Sequence, residues 1–209
     1  MSAPMVTHPL FARIYSHLVV PMMAKGGGDD LRRRNLEELS GTIVEVGAGE
    51  GANFAFYPDA VSQVVAVEPE SYLRERAAVR TTERVRLVDG TAERLPVADA
   101  EADAVVFSLV LCSIDQAQAL AEARRVLRPG GEIRFLEHVA AGPGTLRRVQ
   151  SALDATVWPL LAGGCHCARE TEQAIVDAGF EITRIERFVF PRGARSPVSP
   201  VILGRAAIR

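Results

Sequence analysis

The chain has 209 residues, a length that suits a single domain, and 48% of them are hydrophobic, which is enough to bury a sizeable core. A formal net charge of −2 predicts no binding to nucleic acid or to an anionic membrane surface. Residues 1–9 lack the pattern of a signal peptide, and no stretch reaches the ~20 apolar residues of a membrane span. Three cysteines cannot all pair within the chain, so we expect reduced thiols and a cytoplasmic location.

Helical and extended patterns follow one another along the chain. Residues 1–40 predict two helices divided by the glycines at positions 26–28. Beyond them, runs rich in β-branched residues predict strands at residues 42–47, 61–69, 85–90, 103–109, 132–139, 180–190 and 201–208. Periodic apolar positions predict helices at residues 115–128, 146–161 and 170–178.

The alternation of these elements defines the expected fold class. In the clearest helix, Asp115 can cap the start, and Pro129-Gly130-Gly131 ends the helix and leads into the next strand. The nearly continuous apolar run at 64–67 is typical of a strand covered on both faces of a parallel sheet. The pattern therefore predicts an α/β fold with a doubly wound sheet, helices on both faces and an N-terminal helical cap.

The strongest functional signal is a turn that follows the first predicted strand. Gly47, Gly49 and Gly51 occupy every second position there, and glycines let a backbone approach a ligand closely. The turn lies at the carboxyl end of a parallel strand, where α/β sheets bind ligands. The spacing is Gly-x-Gly-x-Gly, whereas the dinucleotide-binding fingerprint is Gly-x-Gly-x-x-Gly.

Two further elements point to an adenosine ligand. Glu68 ends the second strand, where a carboxylate can accept hydrogen bonds from both ribose hydroxyls; the alternative is a solvated acidic residue. Residues 90–96 directly follow the third strand and could hydrogen-bond the edge of adenine. A fourth element is the strand at 103–109, followed by residues 110–113, a helix and residues 127–131.

In this order and spacing, the four elements resemble the class I S-adenosylmethionine-dependent methyltransferases, particularly the group that includes ubiquinone and menaquinone biosynthesis enzymes. The resemblance covers residues 42–139. Similarity to the small-thiol methyltransferases of animal endoplasmic reticulum and lipid droplets extends over most of the chain. It lies in Gly51-Ala-Asn53-Phe54, Leu109-Val-Leu-Cys112-Ser113, Arg128-Pro-Gly-Gly131, Glu137-His138-Val139-Ala140-Ala141, Gly164-Cys165 and Arg169-Glu170. We expect this chain to lack the hydrophobic N-terminal anchor of that subfamily, and we do not carry over its membrane location.

The resemblance implies a Rossmann-like sheet of about seven strands, mostly parallel with the last antiparallel, and S-adenosylmethionine as cofactor. It places Gly47, Ala48, Gly49 and Gly51 around the methionine part and ribose, and Glu68 with Pro69 at the ribose. It places Thr91, Ala92 and Glu93 beside adenine, and Ser108 and Leu109 near the methionine end. Glu45 would orient the loop or contact the cofactor's ammonium group. Many relatives carry Asp where this chain has Thr91, so the adenine contact could pass to the backbone of Ala92.

The acceptor side is less defined by sequence. Glu137 and His138 end the fifth strand and are candidates for polar roles, although a packing role for His138 is equally open. Cys112 follows the fourth strand and is expected to be a small buried residue. Cys165-His166-Cys167 supplies too few ligands for a zinc site, so we expect no metal and a loop bordering the substrate pocket.

Apolar residues outside the cofactor half predict the walls of an acceptor pocket. Tyr15 and Phe11 could close over cofactor or substrate, or simply pack, and Trp158 is expected in the core or the pocket wall. The full set of expected walls is Leu10, Phe11, Tyr15, Leu18, Trp158 and Leu161. No catalytic residue is assigned: a thiol with a pKa near ~8.5 needs little help to lose its proton, and a phenol or enol needs only modest help.

The sequence thus predicts one domain with a helical cap (residues 1–40), a cofactor-binding core (41–140) and substrate-side helices and strands (141–209). The expected activity is methyl transfer to a small lipophilic acceptor, either a thiol or a quinol- or phenol-like metabolite. The alternatives are an NAD-dependent oxidoreductase, which the glycine spacing disfavours, and a non-catalytic S-adenosylmethionine-binding module. The sequence leaves the oligomeric state open.

Overall fold

The computed structural model describes residues 9–156 and 158–208, with side chains described from residue 11 onward, so the first eight residues of the expected cap lie outside the described residues. The chain forms a seven-stranded sheet of order β3-β2-β1-β4-β5-β7-β6. The strands are β1 (Gly41–Val46), β2 (Val61–Val67), β3 (Val85–Val88), β4 (Ala102–Ser108), β5 (Leu127–His138), β6 (Phe180–Val189) and β7 (Pro200–Ile208). All pairings are parallel except those of β7, which runs antiparallel to β5 and β6. The predicted fold class is confirmed.

Helices lie on both faces of this sheet. They are α1 (Pro9–Ile14), α2 (Val20–Lys25), α3 (Gly28–Leu36), α4 (Ser71–Ala78), α5 (Gln116–Val126), α6 (Thr145–Asp154), α7 (Trp158–Leu161) and α8 (Thr171–Asp177). Alternate residues of the central strands enter two separate cores, as expected for strands with a side-chain period of two. Val44 and Val65 pack in the core that contains Leu120 of α5, and Ile43 and Val64 pack in the core that contains Leu36 of α3.

The N-terminal segment forms the expected two helical stretches. The first runs through α1, a π-helical turn at Tyr15–Val19 and α2, and the second is α3. Gly27 separates them with a φ of +92°, a left-handed conformation that favours glycine. No helix in residues 9–156 and 158–208 combines the length and apolar character needed to cross a membrane.

Two predicted boundaries are wrong. Asp115 does cap α5, accepting from the Gln118 amide at 3.1 Å, but the helix ends at Val126 rather than at residue 128. Leu127 is already extended and pairs with Ala102, so β5 starts before the Pro-Gly-Gly turn. Tertiary strand pairing therefore overrides the helical pattern in these last two positions.

The helix predicted over residues 146–161 is divided into α6 and α7. Pro159 has no backbone N–H with which to continue the hydrogen-bond ladder of α6. Asp154, the last residue of α6, accepts hydrogen bonds from the backbone of Cys167 (2.7 Å) and Ala168 (2.9 Å). A later loop thus packs against the end of α6, at a place that the apolar periodicity does not reveal.

Candidate functional site

The glycine turn lies at the carboxyl ends of the central strands, beside the point where the strand order reverses between β1 and β4. The backbone N–H groups of Gly47 and Ala48 donate to the carbonyl of Val67 at 2.9 and 3.1 Å. These bonds tie the turn to the end of β2. A Cβ at Gly47 would lie 2.5 Å from Val110, so close packing with the loop after β4 requires glycine there.

Gly49 differs from the other glycines of the turn. Its φ is +57°, and the nearest described atom to a Cβ built on it is Cε1 of Tyr15, at 3.9 Å. A Cβ at Gly51, in contrast, would lie 2.6 Å from the ring of Phe54. The chain itself therefore does not crowd the side of Gly49 where a side chain would project, and a ligand could approach the backbone there.

Glu68 is buried at the end of β2, with 5% of its surface exposed. One carboxylate oxygen accepts from the Gly49 N–H at 2.8 Å and the other from the Glu70 N–H at 2.9 Å. Burial raises the pKa of Glu68, and the hydrogen bonds from Glu70 and Gly49 act to lower it. The alternative interpretation of Glu68 as a solvated surface residue is therefore wrong: its carboxylate shapes the glycine turn.

Glu45 anchors a buried polar network beneath the turn. Asn53 Nδ2 donates to one carboxylate oxygen at 2.8 Å, and the Tyr57 hydroxyl donates to the other at 2.9 Å. Burial raises the pKa of Glu45 to about 7, although the bonds from Tyr57 and Asn53 act to lower it. Both oxygens hold residues of the loop, which favours loop orientation over direct contact with an ammonium group.

Helix α3 extends this network, a contribution that the sequence analysis missed. Arg32 Nη1 donates to Asn53 Oδ1 at 2.9 Å, and Asn35 Nδ2 donates to the hydroxyl of Ser108 at 3.3 Å. Asn53 Nδ2 also reaches that hydroxyl, at 3.2 Å. The one available signal was that Arg32 and Asn35 are three residues apart and so share a helical face with the apolar Leu36.

The cap covers the turn through Tyr15 and Ser16. Burial raises the pKa of Tyr15, and the neighbouring Arg32 guanidinium acts to lower it. The Ser16 hydroxyl donates to the carboxylate of Glu50, which is 2% exposed. Glu50 also pairs with Arg76 (3.1 Å) and Arg80 (2.6 Å) of the chain after β2. A buried carboxylate thus joins the cap, the glycine turn and the α4 region.

The segment after β3 lies at the same edge of the sheet. Thr91 forms an isolated bridge with Arg94, whose N–H donates to the Thr91 carbonyl at 3.3 Å. Ala92 is buried in the core, whereas Thr91 and Glu93 are partly exposed.

Arg74 of α4 donates to the carbonyls of Glu68 and Pro69, at 2.8 and 2.6 Å, and so holds the end of β2.

Glu137 fixes the turn that follows β4. Its Oε1 accepts from the N–H groups of Val110 (3.0 Å) and Leu111 (3.1 Å), and its Oε2 is buried without a hydrogen-bond partner in the described part of the chain. Burial raises the pKa of Glu137 well above its ordinary value, and the neighbouring Cys112 acts in the same direction. Leu109, directly before this turn, has a φ of +60° and donates to the Leu136 carbonyl at 2.7 Å.

His138 is the other polar residue at the end of β5. Burial lowers its pKa to about 4, while a hydrogen bond to the backbone of Val198 acts to raise it. Its Nδ1 is buried and finds no partner among residues 9–156 and 158–208. His138 is therefore neutral near pH 7 and offers an unprotonated ring nitrogen.

The other expected acceptor-side residues have mixed positions. Phe11 packs against Gly163: a Cβ built on Gly163 would lie 2.4 Å from the Phe11 ring. The ring centroids of Phe11 and Tyr15 are 5.7 Å apart. Trp158 is half-buried. Leu18 and Leu161 are 63% and 70% exposed, so their expected role as pocket walls is wrong. The side chain of Leu10 lies outside the described residues.

Cys112, Cys165 and Cys167 are all buried with free thiols. His166 donates its N–H to the Cys112 carbonyl at 2.9 Å, which places the loop after α7 against the turn after β4. Within the described ranges, no group of three or more His, Cys, Asp or Glu side chains is placed to hold a metal ion.

Residues 44–135 match a family described as a methyltransferase domain. The chain is 37% identical over 169 residues to the human thiol S-methyltransferase TMT1A, an alignment that covers 75% of this chain and 69% of the relative. It is 36% identical over 183 residues to the mouse thiol S-methyltransferase TMT1B, covering 82% and 74% of the two chains.

Solved structures share the whole fold. A Thermotoga maritima methyltransferase described as a possible histamine N-methyltransferase superposes with a TM-score of 0.67 at 22% identity, covering 96% of this chain and 99% of that one. A geranyl diphosphate methyltransferase in complex with S-adenosylmethionine superposes with a TM-score of 0.69 at 15% identity, covering 100% and 93%.

The chain therefore belongs to the class I S-adenosylmethionine-dependent methyltransferases. It is an enzyme whose cofactor is S-adenosylmethionine, and the alternatives of an NAD-dependent oxidoreductase and a non-catalytic module are wrong. The residues at the site fit this cofactor. The approach to Gly49 is not crowded by the chain, and the buried carboxylate of Glu68 retains lone pairs beyond those that bind Gly49 and Glu70.

Proposed function

We propose that this enzyme transfers a methyl group to the sulfur of a small lipophilic thiol. The observation that carries the proposal is the burial of the two polar side chains at the end of β5, one of which is already engaged with the turn after β4. The pKa of His138 is lowered to about 4 by burial, and Glu137 is fully buried and already holds the turn after β4. Burial makes His138 a weak base, and Glu137, whose pKa burial raises, is committed to the turn after β4, so we assign neither of them to deprotonate an acceptor. A thiol with a pKa near ~8.5 needs less help to ionise than a phenol with a pKa near ~10.

Sequence identity to known methyltransferases also supports a thiol acceptor. The relatives from human and mouse are named thiol S-methyltransferases, and their alignments cover 75% and 82% of this chain. We place the acceptor beside the aromatic rings of Phe11 and Tyr15, whose centroids lie 5.7 Å apart, with Trp158 as a further wall. An apolar wall of this kind favours a lipophilic molecule and shields the reaction from water.

We propose that the cofactor lies along the glycine turn. When bound, S-adenosylmethionine supplies a methyl group on a sulfonium that is already activated. Gly47, Ala48, Gly49 and Gly51 would hold its methionine part and ribose, and Glu68 with Pro69 its ribose hydroxyls. Thr91, Ala92 and Glu93 would flank adenine, and Ser108 and Leu109 would border the methionine end. Glu45 acts indirectly, by holding Asn53 in the loop.

The chain's contribution to rate is then proximity and alignment rather than acid–base chemistry. Tyr15 and the Ser16–Glu50 contact close the cap over the turn, so we propose that residues 1–40 exclude water from the acceptor position. Residues 41–140 would bind the cofactor, and residues 141–209 would complete the acceptor side of this single domain. We propose that the enzyme is located in the cytoplasm.

The test is a labelled methyl-transfer assay with acceptors matched in shape. Thiophenol is compared with phenol, and benzyl mercaptan with benzyl alcohol and benzylamine, together with a small quinol. We expect label to enter the thiols and not their oxygen or nitrogen counterparts. The pH profile of kcat/KM should rise through the pKa of each thiol, and so move with the substrate. Equal or faster labelling of phenol or quinol would overturn the proposal.

A further inference from the structure

The three cysteines of the chain converge on the acceptor side, although two of them lie far from the first in sequence. Cys112 belongs to the turn after β4, and Cys165 and Cys167 to the loop after α7. All three are buried, at 2%, 9% and 0% exposure. The thiol of Cys165 interacts with the thiols of both Cys112 and Cys167. The fold thus gathers three free thiols from two separate loops.

Backbone contacts hold the two loops together on both sides of the Cys112–Cys165 contact. The His166 N–H donates to the Cys112 carbonyl at 2.9 Å. Gly164, with a φ of +87°, packs so closely that a Cβ there would lie 2.8 Å from the Ser113 carbonyl oxygen. The position of Cys165 relative to Cys112 is therefore set by main-chain packing rather than by flexible side chains.

The surroundings of the Cys112 and Cys165 thiols differ. A hydrogen bond with Cys165 lowers the pKa of Cys112, and Ser113, whose hydroxyl lies 3.4 Å from the Cys112 sulfur, acts in the same direction. The same contact, together with that to Cys167, raises the pKa of Cys165. The Ser113 hydroxyl beside the Cys112 sulfur can donate a hydrogen bond to a thiolate there, which favours Cys112 as the nucleophile and leaves Cys165 as the resolving thiol.

We propose that Cys112 and Cys165 form a thiol–disulfide exchange site for small organic disulfides, and that its oxidation switches off methyl transfer. Such disulfides are the oxidised form of the acceptor class, so the choice of ligand rests on the proposed function. Cys165 is the most exposed of the three cysteine residues, so a small disulfide would enter from its side of the cluster. A cross-link would pull the Cys112 and Cys165 sulfurs to covalent distance and so shift the loop after α7 against the turn after β4.

The exchange proceeds in two displacements. The Cys112 thiolate attacks one sulfur of the small disulfide, whose S–S bond breaks to release one thiolate and leave a mixed disulfide on Cys112. Cys165 then loses its proton, and its thiolate attacks the Cys112 sulfur and displaces the second small thiolate. The protein loses two electrons and two protons, and the small disulfide is reduced to two thiols. An excess of small thiol reverses both steps.

The experiment uses the full chain and bis(2-hydroxyethyl) disulfide under native conditions. Peptide mapping without reductant should find one cross-link, between the peptides that contain Cys112 and Cys165. Methyl transfer should fall by more than about tenfold, because bringing the two sulfurs to covalent distance displaces the loops that border the proposed acceptor position. Dithiothreitol should restore the rate.

Cysteine variants assign the roles. Cys167→Ser, the matched control, should give the same cross-link as the wild type. Cys165→Ser should stop at a mixed disulfide on Cys112, and Cys112→Ser should give no cross-link. Far-ultraviolet circular dichroism and melting verify that each variant is folded, and Cys165→Ala replaces Cys165→Ser if the serine is not tolerated.

A Cys165–Cys167 cross-link would overturn the proposal, as would thiols that react in urea but never cross-link in the native protein. A Cys112–Cys165 cross-link that leaves the methyl-transfer rate unchanged would overturn the claim that oxidation switches off methyl transfer. The peptide mapping needs no methyl acceptor, so it tests the cross-link even if no thiol is methylated in the acceptor screen. In that case the methyl-transfer rate is measured with whichever oxygen or nitrogen acceptor takes the label.

Discussion

Replacing Gly49 with alanine separates the backbone role of the glycine turn from its ligand-binding role. Gly49 has a φ of +57°, which an L-residue adopts at a cost of about 1–2 kcal/mol. A Cβ at this position meets no described atom closer than Tyr15 Cε1 at 3.9 Å, so no clash within the chain adds to that cost. We therefore expect a modest loss of stability, about 2–4 °C in Tm for each kcal/mol in a chain of this size.

Cofactor affinity should fall much more than stability does. The added methyl group projects into the space that we propose the cofactor occupies, and each factor of ten in Kd corresponds to about 1.4 kcal/mol. We expect at least about a tenfold rise in Kd for S-adenosylhomocysteine, since one misplaced methyl group separates the ligand from the backbone of the turn.

Gly130→Ala is the matched control. Gly130 has a φ of +81°, no described atom lies within 4 Å of a Cβ built there, and it lies near the start of β5, at the opposite edge of the sheet. Calorimetry with S-adenosylhomocysteine and thermal melting are measured for both variants. If Gly49→Ala binds within about twofold of the wild type while its Tm falls like that of the control, the turn is not the cofactor cradle.

Three further predictions concern buried carboxylates. Glu68→Ala should weaken S-adenosylhomocysteine binding by about 1.5–3 kcal/mol in calorimetry, the usual value of hydrogen bonds to a charged group; a change within about twofold would contradict a ribose role. Glu50→Gln removes the charge that pairs with Arg76 and Arg80, so the cap should loosen, and acceptor turnover should fall more than cofactor affinity; equal losses would argue against the cap. Because the pKa of Glu45 is raised from 4.5 to about 7, the folded state binds the extra proton, and the free energy of unfolding should fall as pH rises between these values. Urea unfolding of Glu45→Gln, which mimics the protonated acid, should show a weaker decline over that window, and an unchanged slope would assign the proton elsewhere.

The sequence by itself determined the features that depend on neighbouring residues. Local patterns predict the alternation of strands and helices, the glycine turn and the position of Glu68 at a strand end. They can do so because the side-chain period and the residue preferences of turns act over a few residues. Those patterns predicted the doubly wound sheet and the cofactor-binding edge. They failed at Leu127, where pairing with Ala102 outweighed the helical pattern, and over residues 146–161, where a distant loop packs against the end of α6.

The tertiary structure alone decided which distant residues meet at the site. Arg32 and Asn35 reach Asn53 and Ser108 only because α3 packs beneath the glycine turn. The apolar pattern of the N-terminal segment likewise did not predict that Leu18, expected in a pocket wall, is exposed. Cys112 and Cys165 meet because two loops separated by α5, β5, α6 and α7 share main-chain contacts. Such meetings depend on how helices and loops pack across the sheet, and a one-dimensional pattern holds no information on the distance between residues that are far apart in the chain.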